Sequence, residues 1–210
     1  MKERNSYEDW SGFLSVLLEE AEPYLKVRGD LLHVRVSHRY ALMLMEKEGG
    51  DKRIIEPAVL LHDVGWSCLS PEELSHAYGA RAVGAEAKRL NRIHEREGAE
   101  IAARILTKHG YDPKLIETIR RIIERHDSSL SASSIEDAIV KDADKLWRFS
   151  GEGFWVEIER QGLEPEELYL YLGKRIDSWF FTPTGRILSK EEWERRGEEV
   201  RSGREKRGGL

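Results

Sequence analysis

The sequence predicts an all-α protein. Three observations carry this. Apolar residues recur at helical spacing in segment after segment. Helix-start signals at Asp51, Ser70-Pro71, Asp112-Pro113 and Ser134, with glycine stops at Gly49-Gly50 and Gly110, divide those segments. Composition agrees, with 35% charged and 40% hydrophobic residues in a chain of 210, enough for one domain with a substantial core.

Bulk properties exclude several classes. Net charge is −5, so general attraction to nucleic acid or an acidic membrane is not expected. The single Cys68 can form neither an internal disulfide nor a zinc–thiolate cluster. The N-terminus is charged rather than an apolar signal core, and no apolar run approaches a membrane span. A cytoplasmic protein is the default expectation.

The elements follow in order. Ser6 to about Leu25 is helical, with Trp10, Phe13, Leu14, Leu17 and Leu18 on one face. Asp30 to Glu48 forms the next helix, whose apolar stripe contains His33, Val36, Tyr40 and Leu44, while His38 turns off that face. Asp51 caps a third helix that ends in Ala58-Val59-Leu60-Leu61-His62-Asp63-Val64-Gly65, where Gly65 lets the backbone turn away. A helix opens near Ser70 or Ser75 and runs through small residues to Ala87. Another runs from about Ile93 to His109, headed by His94, with Gly98 leaving room beside it. Asp112-Pro113 starts a helix whose stripe of Ile116, Ile119, Ile122 and Ile123 continues to His126, with Asp127 as a cap or supporting partner. Ser134 and Asp137 resemble a capping box for a helix carrying Val140, Asp144 and Trp147 inward, with Asp142 pointing elsewhere. Gly151–Gly162 and Pro165–Phe181 read as two aromatic-rich helices, Thr182-Pro183-Thr184-Gly185 as a turn, and Ser189 with Glu192 as the cap of a last helix around Trp193. The division expected is a domain over 1–150 and a helical extension over 151–210, packed on or capping it, with a frayed tail from about 201.

Six residues stand out chemically: His33, His62, Asp63, His94, His126 and Asp144. Each lies on an apolar stripe or near a helix end. Taken singly, a buried histidine is usually a satisfied core residue. A carboxylate on a core stripe, however, needs a cation. Four imidazoles and two carboxylates make a nitrogen/oxygen donor set suited to Fe, Mn, Zn, Co or Ni. Six donors exceed what one catalytic ion with open positions needs, so two divalent transition-metal ions sharing Asp63 are expected. Lys145 and Arg148, beside and one turn after Asp144, are candidate substrate-binding cations.

The pattern resembles the HD-domain superfamily of metal-dependent phosphohydrolases. The resemblance rests on His33-Val34-Arg35-Val36 through Ala41, on Leu60-Leu61-His62-Asp63-Val64-Gly65, and on Asp142-Ala143-Asp144-Lys145-Leu146, and covers about residues 28 to 149. It implies an HD-domain helical bundle in which His33, His62, Asp63 and Asp144 bind one metal. The extra His94 and His126 are similar to those of the dinuclear branch. It implies hydrolysis of a phosphate mono- or diester of a nucleotide or similar small molecule by metal-bound hydroxide, with Asp63 as the catalytic residue. Where many dinuclear members carry Lys soon after the His-Asp motif, this chain has Trp66, so a cationic phosphate contact is missing there. The paired histidines of cyclic-di-nucleotide phosphodiesterases are replaced by His126-Asp127, which speaks against that activity. Two alternatives remain: a di-iron oxygenase of the same superfamily, and a non-catalytic nucleotide-binding module. The C-terminal aromatic clusters could equally be core or a homodimer interface.

Overall fold

The computed structural model describes residues 9–77 and 84–208, with α-helices, short 3-10 turns and, among the described residues, no strand. The helices are α1 Trp10–Leu25, α2 Leu31–Glu48, α3 Lys52–Leu61, α4 Pro71–Ala77, α5 Gly84–Lys108, α6 Pro113–Ile123, α7 Ile135–Leu146, α8 Gly151–Gln161, α9 Pro165–Gly173, α10 Ile176–Trp179 and α11 Pro183–Gly208. The predicted helix start at Ser6 and the middle of the small-residue stretch after Ser75 lie outside the described residues. No described helix is long and apolar enough to cross a membrane.

Helix α3 is the centre of the bundle, touching α1, α2, α6 and α7. Every residue from Ile55 to Leu61 is buried, so this helix is apolar nearly all round, as a central helix must be. Its one buried carboxylate, Glu56, accepts from Trp10 Nε1 at 2.8 Å and sits 2.7 Å from His38 Nε2. His38 therefore serves the core edge and not the metal cluster. Pro57 lies inside α3 and cannot donate to the Arg53 carbonyl. The Tyr111 hydroxyl donates to that carbonyl at 2.6 Å, replacing the lost bond from outside the helix.

The cap signals differ in how well they translate. Asp51 accepts from Arg53 N and Asp112 from Lys114 N, as expected. Ser134 Oγ accepts from Asp137 N at 3.2 Å, but Asp137 reaches back to Ser133 N at 2.8 Å, one residue earlier than a capping-box Glu would. The Ser189–Glu192 cap is overturned. Helix α11 already begins at Pro183, with the Thr182 hydroxyl accepting from Gly185 N, and Ser189 is buried inside it. The span 165–181 is not one helix but α9 followed by the single turn of α10. Helix α11 stays helical through Gly208, past the Arg201 where composition predicts fraying.

Helices α8 to α11 add Phe154, Leu168, Leu172, Ile176, Phe180 and Val200 to the same apolar cluster as α1–α3 and α5–α7. Tyr169 stacks on Trp193 at 4.7 Å, and Phe180 meets Phe149 of the turn Trp147–Phe149 at 5.5 Å. Phe181 instead lies over the ammonium groups of Lys141 and Lys145, at 5.5 and 5.6 Å.

Candidate metal centre

Backbone proximity builds the centre before any side chain does. After α3, the 3-10 turn Val64–Cys68 lies against α5. A Cβ on Gly65 would fall 2.0 Å from the His94 carbonyl oxygen, and one on Gly98 would fall 3.3 Å from the His62 carbonyl oxygen. Gly65 is thus required for close approach. This contact sets His62-Asp63 beside His94.

All six expected residues are buried, each at most 4% exposed, and they converge. His33 Nε2 lies 3.0 Å from His62 Nε2, 3.2 Å from Asp144 Oδ1 and 3.5 Å from Asp63 Oδ2. Asp63 Oδ1 lies 3.5 Å from His62 Nε2, 3.6 Å from His94 Nε2 and 3.8 Å from His126 Nε2. Donor atoms fall within 4.8 Å of one another in three groups: His33, His62 and Asp144; His62, Asp63 and His126; His94, His126 and Asp127.

Local helix geometry aims three of the imidazoles. His62 Nδ1 meets the Val59 carbonyl at 2.7 Å, His94 Nδ1 the Asn91 carbonyl at 2.9 Å, and His126 Nδ1 the Ile123 carbonyl at 2.7 Å. A carbonyl only accepts, so each Nδ1 carries the proton and each Nε2 faces inward. His94 Nε2 is buried with no hydrogen-bond partner. An unpartnered imidazole nitrogen aimed at a carboxylate cluster is costly without a cation, so the donor set fits divalent metal.

Charge distribution follows from the neighbours. Burial alone would raise the Asp63 and Asp144 carboxyls. His62, Arg28 and His33 around Asp63, and hydrogen bonds from His33 and His62 to Asp144, hold both well below the usual carboxylate range instead. His126 resists burial because Asp63, Asp127, Glu95 and Asp144 face it, and it is pushed up to about 9. Burial wins at His94, which is lowered. Burial likewise lowers Lys145.

Three placements differ from the sequence reading. His94 does not head a helix but lies midway along the 25-residue α5. His126 lies past the end of α6 at Ile123, because its apolar stripe outruns the helical backbone. Asp127, assigned to capping or support, offers a carboxylate oxygen to the His94 and His126 group, and is half-buried where the other donors are enclosed. Its turn is fixed by Glu95, which accepts from Asp127 N at 2.9 Å and Ser128 N at 2.8 Å.

Two residues that the sequence did not single out as partners also face the centre. Arg28, between α1 and α2, donates to Asp63 Oδ2 at 3.1 Å. Trp66 Nε1 donates to Asp63 Oδ1 at 2.9 Å. Arg28 carries no periodic signal, since it lies in a turn. Lys145 and Arg148 lie at the half-exposed edge, with Arg148 Nη1 at 3.8 Å from Asp144 Oδ1.

Residues 32–148 match the family model described as HD domain, which spans more than half of the chain, and the chain belongs to that family. A crystal structure of a predicted HD superfamily hydrolase from an uncultured Thermotogales bacterium is similar, with a TM-score of 0.61 and 20% identity over 93% of this chain and 91% of that one. That likeness shows the shared fold. No curated protein sequence matches the chain.

Proposed function

We propose that this protein is a metal-dependent phosphohydrolase acting on a phosphate mono- or diester of a nucleotide or similar small molecule. The observation that carries the reading is the pairing of an enclosed His/Asp donor set with two half-buried cations, adjacent to and one turn after Asp144. Lys145 has no carboxylate within ion-pair distance among the described residues, and its ammonium group rests against Phe181. Among the described residues, Arg148 forms only the long 3.8 Å pair with Asp144. Half-buried cations with so little internal compensation suit a phosphate arriving from solvent. The similar Thermotogales protein is a predicted HD superfamily hydrolase, which agrees with this reading.

The roles divide by position. His33, His62 and Asp144 would hold one divalent ion, and His94 and His126 a second, with Asp63 between them. Bound there, such ions acidify water and polarise a phosphoryl oxygen. Asp63, central among the imidazoles, would orient the water such ions activate. Arg148 and Lys145 bind the non-bridging phosphate oxygens and steady charge that grows during displacement.

The experiment is turnover of p-nitrophenyl phosphate and bis-p-nitrophenyl phosphate by manganese-loaded protein, with Asp63→Ala and Arg148→Ala alongside. Hydrolysis of either ester, abolished in Asp63→Ala while the helical content persists, supports the reading. Arg148→Ala is expected to raise KM about tenfold, the cost of one charge-assisted contact. Oxygen uptake by iron-loaded protein without hydrolysis under any metal would overturn it in favour of the oxygenase.

A further inference from the structure

Trp66 follows closely on His62-Asp63, and the structure puts a cation beside it. The Arg28 guanidinium lies over the Trp66 ring at 4.6 Å, and the other side of the story is His94, whose ring stacks on Trp66 at 3.7 Å with planes 7° apart. Arg28 and Trp66 each donate to a different oxygen of Asp63. Both oxygens of the central carboxylate are therefore fixed by groups that offer no electron pair to a metal.

Arg28 is itself braced. Its Nε donates to Asp30 Oδ2 at 2.5 Å, and its side chain is only 6% exposed. Arg160 on α8 reaches Asp30 Oδ1 and the Arg28 carbonyl, each at 3.4 Å, and pairs with Glu157 at 3.1 Å. A chain of charged contacts thus runs from the C-terminal extension through Asp30 and Arg28 to Asp63. Arg28 lies before the residues that match the family model, and Arg160 after them.

We propose that Arg28 and Trp66 act together as positioning residues for Asp63, fixing the carboxylate plane so that Oδ1 faces His62, His94 and His126 while Oδ2 faces His33, and that α8 keeps Arg28 in place for this task. The inference rests on the reading of Asp63 as a shared ligand. Arg28 supplies a positive charge beside Trp66, and its planar fork serves Asp30 and Asp63 at once in a fixed geometry that the rotatable ammonium of a lysine lacks. Trp66 contributes a single N–H with a fixed direction.

The test is a titration of metal-stripped full-length protein with Mn(II), read by equilibrium dialysis and by electron paramagnetic resonance, on wild type, Trp66→Phe, Arg28→Lys and Asp63→Ala. Trp66→Phe keeps the stacked ring and removes the N–H. Arg28→Lys keeps the charge and removes the fork. Each is expected to weaken Mn(II) binding about tenfold, the usual cost of losing an orienting partner. Each is also expected to weaken the spin-coupled signal of two ions sharing a ligand, while far-ultraviolet circular dichroism stays unchanged. A purely structural role would lower the melting temperature and leave coupling and affinity as in wild type, and that result overturns the proposal. If Asp63→Ala itself binds two ions with wild-type affinity, the shared-ligand reading fails first. If Asp63→Ala loses metal while both conservative variants bind and couple normally, the positioning proposal alone fails.

Discussion

Helix α7 carries two buried carboxylates two residues apart, and they face different worlds. Asp144 points to the imidazoles of His33 and His62, which together with Arg148 hold it well below the ordinary range. Asp142 points to the start of α11. It accepts from Phe181 N at 2.9 Å, from Thr182 N at 2.8 Å and from the Thr182 hydroxyl at 2.7 Å. Burial outweighs those neutral donors, and Asp142 is raised. Similar enclosure gives opposite outcomes because titratable nitrogens and a guanidinium surround one group and uncharged backbone the other. One side of α7 is built to receive a cation, and the other to hold a helix end.

The largest test of that contrast is metal binding. Asp144→Asn is expected to weaken Mn(II) binding by more than about a hundredfold, beyond the cost of losing an outer partner. Asp142→Asn should leave affinity and stoichiometry as in wild type. Equilibrium dialysis on both variants checks this, and equal losses would erase the distinction.

Next comes stability. Asp142→Ala strands three donors at the entry to α11 and should cost about 3 kcal/mol in urea unfolding, with the metal centre intact. Gly185 adds to the same joint. A Cβ there would fall 2.4 Å from Asp142 Oδ2, so Gly185→Ala is expected to destabilise by about 1–3 kcal/mol through overpacking.

The smallest effect is in pH dependence. A lowered folded-state pKa means that Asp144 contributes stability fully above the unfolded carboxylate value of about 4, and loses it as pH falls. A raised value means that Asp142 contributes fully in acid and loses it as pH rises through its folded pKa. In metal-free protein, Asp144→Asn should therefore flatten the acid loss of stability, and Asp142→Asn should steepen it slightly. Urea midpoints between pH 3 and 7 read the two signs.

How much of this was legible beforehand depends on what kind of signal each residue leaves. His33 and Asp144 interrupt apolar stripes, and an interruption at core spacing is visible without coordinates. The same logic located His94 and His126, although it misjudged the helix ends around them, because side-chain periodicity does not report where backbone hydrogen bonding stops. Asp142 was correctly turned away from the centre, but its partners 39 and 40 residues later leave no local trace. Arg28 sits in a turn, where periodicity has nothing to say. The Ser189 cap failed because Thr182-Pro183 had already started the helix. A Thr followed by Pro is itself an N-terminal signature, and here it outweighs the turn that the following Thr184-Gly185 suggests.

The Gly65–Gly98 contact has a consequence for how anything enters the centre. Where two backbones touch, no side-chain rotation opens a passage. That wall moves only if α5 separates from the turn after α3, which means partial unfolding. Any route in therefore runs past side chains, and Asp127, Lys145 and Arg148 are half-buried ones whose rotamers change without disturbing a helix. One wall of the centre is main chain, and no change of rotamer opens it.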